Sequence, residues 1–328
     1  MTSTLKARPG LSRASGREVR RFDDVRELLP SVENPTPLVR LNRLVPPSAE
    51  LYLKLEWLNP FGSVKDRAAA AMLEGLRRDG LAPDDLVEAS SGNTAIALAA
   101  LANLEGVKVT ITIPDGVPEE KKTLLRMLGA EVWETPDDLC PVDLPKDGAI
   151  ALARSLAESP GSKFIWPDQY SNPDNVRAHY ETTGPEIWRQ TEGKVKAFLA
   201  GLGTTGTITG VGRFLKERDP SIQVIAIEPE PGHRLPGLKS FKEANEPAIF
   251  DRSVIDQVVV VSDLDAYEMT KRLFREEAVM AGPSTGAVVH AAIDLGVEGP
   301  AVAISADSGL KYASFFAEVL GDEGQPTP

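Results

Sequence analysis

After about residue 50 the period of the apolar positions switches back and forth along the chain. Short runs rich in Val, Ile and Leu alternate with longer stretches whose apolar residues recur three and four apart. The short runs predict strands over residues 51–55, 86–89, 107–113, 196–200, 223–227 and 301–304. The longer stretches predict helices over residues 65–78, 206–218, 263–280 and 284–295. A further apolar helix comes after residues 90–94, and another opens at Pro118 and closes at Gly129, while Gly80 stands just past the first. Phe22, Val25, Leu28 and Leu29 at helical spacing, stopped by Pro30, predict a short helix docked on the body or on a partner subunit. Residues 135–148, rich in Pro and Asp, read as a surface loop or hinge. No internal repeat is present. Strand and helix in alternation predict a doubly wound α/β fold, with parallel sheets covered by helices on both faces.

Length and charge narrow the function classes. At roughly 150 residues per domain, a chain of 328 residues predicts about two domains. Its 36 Lys and Arg against 48 Asp and Glu leave −12. A field of that sign repels phosphodiester backbones, so the expectation is no nucleic-acid and no membrane partner. An anionic ligand then needs a local constellation. A single cysteine, Cys140, allows no internal disulfide and no multi-cysteine metal site, which fits a reducing compartment. His179, His233 and His290 lie too far apart for a metal motif, so no metal is expected. Apolar stretches such as residues 95–102 fall short of the ~18 residues needed to span a bilayer. A cytoplasmic protein is expected. The first twenty-one residues carry six Lys and Arg against Glu18, as organelle transit peptides do, but Pro9 and Gly10 interrupt any amphipathic helix and favour a mobile basic tail.

Four polar stretches open helices, each just after a strand-like run. Gly201-Leu202-Gly203-Thr204-Thr205-Gly206 matches G-x-G-x-x-G, and Glu228 ends the next strand where a dinucleotide fold places its ribose acid. Such a turn offers backbone N–H groups to a phosphate, and Thr204, Thr205 and Thr207 add hydroxyls that suit a terminal phosphate. A tight turn that binds nothing, or one that binds NAD, fits this run as well. Lys65 falls in the first helical turn after Gly62-Ser63-Val64, the wrong end of a helix dipole for a cation. Either its pKa is depressed for imine formation with an aldehyde, or it is a solvated lysine pairing with Asp66. Ser90-Ser91-Gly92-Asn93-Thr94 is either an anion cradle or an ordinary cap. Ser284, after Gly282-Pro283, reads alone as an N-cap. Each stretch alone could be structural. Together they set four polar helix openings at the carboxyl ends of strands, where open α/β sheets bind ligands.

With these residues in place, the sequence from about Asn34 to Tyr312 resembles the pyridoxal-phosphate (PLP) enzymes of fold type II, and among them the cysteine synthases of the B type. Lys54-Leu55-Glu56, Asn59-Pro60 and Gly62-Ser63-Val64-Lys65-Asp66-Arg67 are similar to the segment that carries the cofactor, which implies that Lys65 binds PLP and is the catalytic amine. The resemblance implies that Ser91, Gly92, Asn93 and Thr94 grip the substrate carboxylate, with Asn93 also bonding the cofactor's 3′-oxygen. It implies that Gly203, Thr204, Thr205, Gly206 and Thr207 hold its phosphate, that Ser284 faces the pyridine nitrogen, and that Gln169 in Asp168-Gln169-Tyr170 joins the carboxylate site. The stretch from His179-Tyr180 through Trp188 is similar to B-type sequences in particular. Three places depart: Asn34-Pro35 in Asn34-Pro35-Thr36-Pro37-Leu38 where glycine–asparagine is usual, Ala95 for a glycine, and Pro283 for an aliphatic residue.

The same resemblance implies a two-domain enzyme that replaces the leaving group of O-acetyl-L-serine or O-phospho-L-serine with a sulfur nucleophile, giving L-cysteine. Residues 58–168 are expected to form a smaller mobile domain, and residues 31–57 with 169–320 a larger PLP-phosphate domain. Residues 1–30 form a basic tail and short helix, and 321–328 a C-terminal tail. Lys239 is the expected cation beside the leaving group, with Arg234 as its backup. The implied partners are an amino-acid substrate, a sulfur donor that could be sulfide, thiosulfate or a sulfur-carrier protein, and a second subunit in a homodimer. A serine-using cystathionine β-synthase or a threonine/serine dehydratase stays open on the same fold. An NAD-dependent oxidoreductase explains the glycine run but leaves Lys65, Asn93 and Ser284 without roles.

Overall fold

Parallel strands covered on both faces need no exposed side, and the innermost runs of this chain are buried throughout. A computed structural model describes residues 21–46, 49–136 and 148–320. One sheet runs in the order β1 (Leu38–Arg40), β2 (Leu51–Leu55), β10 (Ala301–Ser305), β7 (Ala197–Gly201), β8 (Gln223–Pro229), β9 (Gln257–Val261). Only β1 is antiparallel to its neighbour. A second, all-parallel sheet runs β5 (Glu131–Thr135), β4 (Lys108–Pro114), β3 (Asp85–Ala89), β6 (Phe164–Ile165). Every residue of β3 and β10 is buried, whereas edge strand β9 leaves Val258 and Val260 exposed.

The helices are α1 (Lys65–Arg78), α2 (Asn93–Leu104), α3 (Glu119–Met127), α4 (Ala149–Glu158), α5 (Pro173–Ala178), α6 (Gly184–Gln190), α7 (Gly206–Arg218), α8 (Asp263–Arg272), α9 (Pro283–Asp294) and α10 (Ala313–Leu320). The bounds of α1 and α7 match the expected spans. After α1 and α3, Gly80 and Gly129 take the left-handed conformation that lets a helix stop. Two clusters, one around Leu53, Leu199 and Val289 and one around Phe198, Ile208 and Val224, flank the larger sheet. Leu86, Leu98 and Ile111 centre the core of the smaller one.

Two expected helices are shorter than their patterns. Residues 263–280 give α8 and then a wider π-type turn at Leu273–Glu277, ending at Ala278 with φ 55°. Glu277 accepts the backbone N–H groups of Asn42, Arg43 and Leu44, a tertiary contact that a continued α-helix would rotate away. The N-terminal helix is a single 3₁₀ turn, Val25–Leu28, capped by Asp24. Leu29 alone of its apolar residues packs on the core; Phe22, Val25 and Leu28 stay exposed. The basic tail through residue 20, Cys140 with most of the expected hinge, and the tail 321–328 lie outside the described residues.

Candidate active site

The site forms where the sheet's connections diverge. β10 lies between β2 and β7 in the larger sheet, and such switch points leave a crevice at the strands' carboxyl ends. The chain leaving β10 fastens two helix starts together. Val64 N–H donates to Ala306 O (2.8 Å) and Gly282 N–H to Asp307 O (3.0 Å), with β-bridges Ser63–Asp307 and Ala281–Ser308.

At the first of these starts, Asp66 accepts from Phe61 N–H (2.6 Å) and Ser63 Oγ (3.3 Å), folding the 61–65 turn over the helix end. Asp66 is thereby committed to the turn, and Lys65 forms no ion pair among the described residues. The Lys65 ammonium stands 3.5 Å from Thr204 Oγ1, across the crevice. Burial holds its pKa down to about 8, against an opposing pull from the Asp307 charge. Of the two readings of this lysine, the structure favours the depressed amine. Burial also pushes the Asp66 carboxyl up to about 7.

The glycine run turns from β7 into α7. No protein acceptor meets the backbone N–H groups of Gly203, Thr204 or Thr205 among the described residues, and the first turn of α7 adds its own free donors. A Cβ at Gly203 would stand 2.6 Å from the Gly237 carbonyl oxygen, so this glycine is required by close approach. The left-handed conformation falls instead on Thr205, at φ 68°, a strained position for a β-branched residue. Thr204 Oγ1 accepts from Asn175 Nδ2 (3.2 Å), Thr205 Oγ1 donates to Thr204 O (2.6 Å), and Thr207 Oγ1 lies 3.2 Å from His179 Nε2. Burial drives the His179 imidazole down to about 3, so it is neutral.

The other expected residues reach the same region. Thr94 Oγ1 donates to Gln169 Oε1 (2.6 Å), and both are buried, which brings two of the expected carboxylate-binding residues together. Ser91 and Gly92 are partly exposed beside them, with Ser90 Oγ accepting from Ala95 N–H (3.3 Å). Asn93 has its carboxamide on Asp307 and Lys311. Ser284 is buried in the first turn of α9, and its hydroxyl has no hydrogen bond to a described residue. It is not an N-cap: Gly282 holds that place.

Three further positions resolve differently. Lys239 Nζ lies over the Tyr170 ring (5.3 Å), beside Arg154 and Trp166 in the lining of a cleft of about 220 Å³. Arg234 does not accompany it; its guanidinium is at the surface on Glu318 (2.7 Å). Arg234 is not among the residues lining the cleft beside Lys239. Glu228 accepts from Phe241 N–H (2.7 Å) and Ser240 Oγ (3.2 Å), pinning the loop that carries Lys239. Those bonds occupy the acid that a dinucleotide site would turn to a ribose.

Sequence reasoning missed the ionic framework behind Lys65. Arg67 pairs with Glu56 (2.7 Å) and Glu186 (2.6 Å), and Lys54 with Glu186 (2.6 Å), all buried. Thr36 Oγ1 donates to Glu56 (2.7 Å), and its backbone N–H to Glu186 (3.2 Å), so the segment carrying Pro35 is tied into the framework. Burial alone would raise the Glu56 carboxyl, yet Arg67 and Lys54 hold it at about 2. The available signal was Lys54, a charge inside the otherwise apolar strand Leu51–Leu55.

The chain is similar to known proteins along most of its length. The family described as "Pyridoxal-phosphate dependent enzyme" matches residues 29–304. Cysteine synthase B of Salmonella typhimurium is 41% identical over 294 residues, covering 88% of this chain and 94% of the relative. Cysteine synthase of Aquifex aeolicus is 39% identical over 306 residues, 89% of this chain and 92% of the relative. The crystal structure of O-ureido-L-serine synthase superposes with a TM-score of 0.83 at 34% identity, covering 93% of this chain and 98% of that one.

Proposed function

Because the chain belongs to the pyridoxal-phosphate dependent enzyme family, we propose that it is a cysteine synthase, exchanging the β-substituent of an activated L-serine for sulfur. The observation that carries the reading is Lys65, a lysine of depressed pKa facing a loop of free N–H donors. The residues present fit the cofactor. Gly203, Thr204, Thr205, Gly206 and Thr207 offer a phosphate cradle, Ser284 an unpartnered hydroxyl for the ring nitrogen, and Lys65 an amine for the aldehyde. When bound, PLP supplies that aldehyde and an electron-withdrawing ring.

The protein's own groups then divide the work. Lys65 in its amine form takes the substrate's Cα proton and later returns it. Ser284 is neutral and cannot hold a full positive charge at the ring nitrogen, which suits concerted loss of the leaving group. Thr94 and Gln169, with Ser91, Gly92 and the backbone N–H of Asn93, bind the carboxylate and orient the Cα–H bond. Engagement of that loop draws residues 58–168 against the remainder, shutting out water. Likeness to the family extends the proposal to a cytoplasmic homodimer whose sulfur donor is sulfide, thiosulfate or a sulfur-carrier protein. Among the described residues, no helix is long and apolar enough to cross a membrane.

The visible spectrum tests the reading. A yellow protein whose absorption shifts on adding O-acetylserine or O-phosphoserine, and which releases cysteine once sulfide is added, is expected. Pyruvate or 2-oxobutyrate as the main product would make it a dehydratase, and a colourless protein that takes up no PLP would overturn the reading entirely.

Two substitutions bear on the cofactor's phosphate. Gly203→Val drives a side chain into the Gly237 carbonyl, displacing the loop, so PLP retention should collapse. Thr205→Ala removes one hydroxyl, about 0.5–1.5 kcal/mol, and should weaken retention several-fold. Equal PLP affinity in both variants and wild type, measured by equilibrium dialysis, would refute the phosphate loop.

Lys239 bears on the leaving group. A phosphate dianion beside it in a partly desolvated cleft gains a charge-assisted hydrogen bond of about 1.5–3 kcal/mol, one to two decades in kcat/KM. Lys239→Ala should therefore cost O-phosphoserine that much and leave O-acetylserine nearly unchanged. Equal losses on both substrates would remove Lys239 from this role.

A further inference from the structure

Asn93 is held by groups outside every motif that suggested the site. Its Nδ2 donates to Asp307 Oδ2 (2.6 Å), and its Oδ1 accepts from Lys311 Nζ (2.8 Å). The Tyr312 hydroxyl donates to the same Asp307 oxygen, and Lys311 also reaches Phe61 O (3.3 Å). Asp307 has no room to turn. Its other oxygen is buried without a partner and packs on Gly282, where a Cβ would stand 2.1 Å away. Tyr312 is buried at the edge of an aromatic group with Phe315 and Phe316 on α10.

This pairing has a direction. An ionised carboxylate only accepts and an ammonium only donates, so the carboxamide has one permitted orientation, nitrogen to Asp307 and oxygen to Lys311. A carboxamide nitrogen carries two hydrogens, and Asp307 uses one. The other has only the neutral Tyr312 hydroxyl near it, a weaker partner than an anionic oxygen, for which it has the right polarity. A flipped amide would present a lone pair there and repel it.

We propose that Asp307 and Lys311 are positioning residues that lock the Asn93 amide so that its remaining N–H meets the cofactor's ring oxygen. The proposal rests on the reading that Asn93 faces the cofactor. Asp307 acts on Lys65 too: its charge is the influence that keeps the amine from falling further below its usual range. The charged and titratable groups around Asp307 are Lys65, Lys121, Lys311 and Tyr312, with Asp66 acting on Lys311. Burial raises the Asp307 carboxyl, and the hydrogen bonds from Tyr312 and Asn93 resist that rise.

The test compares holoenzymes of Lys311→Met, Asp307→Asn and Asn93→Ala with wild type, reading the visible absorption against pH, PLP retention on dialysis and thermal stability. Lys311→Met frees the amide to turn and should cost about tenfold in PLP retention, the equivalent of one lost charge-assisted contact. Asp307→Asn keeps an acceptor for Asn93 and removes the charge beside Lys65, so the visible band should shift and respond to pH at lower values. If Asn93→Ala changes spectrum and retention while the other two match wild type, the positioning role is overturned and the site reading stands. If Asn93→Ala itself matches wild type, the reading of Asn93 fails first. Melting losses without any spectral or retention change make Asp307 and Lys311 merely structural and overturn the proposal.

Discussion

Lys65→Ala will abolish turnover and leave PLP bound only non-covalently. Among the described residues no other amine faces Thr204 as Lys65 does: Lys311 is engaged by Asn93 and Phe61, and Lys54 by Glu186. The usual lysine pKa of 10.5 falls to about 8 here, which raises the neutral fraction near pH 7 by about two orders of magnitude. Loss of the proton-transferring group alone costs about 10²–10⁴-fold, and loss of the covalent anchor adds to it. Lys65→Arg should be as inactive, because a guanidinium stays protonated and cannot accept the Cα proton. Borohydride reduction of the wild-type holoenzyme, then peptide mapping, should place the label on the peptide containing Lys65. A label on a different lysine would show the assignment to be wrong.

Arg67→Met should be the most destabilising single change near the site. It leaves Glu56 buried without its guanidinium and Glu186 with Lys54 as its one cation among the described residues, and breaking a buried ion pair from one side costs about 3–5 kcal/mol. The effect should depend on pH. In wild type the Glu56 carboxyl is held at about 2, so its contribution is present above its ordinary range and lost only as pH falls toward 2. Without Arg67, burial pushes the same carboxyl upward, so the variant loses most at neutral and alkaline pH and the gap narrows in acid. Urea unfolding at several pH values checks this. A gap that is flat with pH, or under about 1 kcal/mol, would mean that Arg67 is not electrostatically coupled to Glu56. Since α1 begins two residues earlier at Lys65, loss of activity should accompany loss of stability in this variant.

Much of this protein was legible along the chain because the information is local. Helix α1 and strand β2 are set by spacing, and polar residues after strand ends mark helix starts wherever they fall. The 257–261 strand, Gln-Val-Val-Val-Val, escaped notice although its composition is that of a strand; it stands between a long irregular segment and α8 with no turn pair to announce it. The four polar helix openings and Lys65 were nameable from order and residue type.

The relations between distant residues could not be decided from the chain alone. Lys54 meets Glu186 across 132 positions, and Asn93 meets Asp307 across 214. Gly203 is required by the Gly237 carbonyl lying against it, a contact from a separate loop, while the left-handed residue of the run is Thr205. Sequence order made Lys239 the expected cation and Arg234 its backup, and only packing sets Arg234 beside Glu318 at the surface and Lys239 over Tyr170 in the lining of the cleft. The reason is common to all of these. Periodicity and capping act within a few residues and are written in order, whereas the burial that sets the Lys65 amine and the Arg67 pairing that sets the Glu56 carboxylate exist only once separate elements close around them.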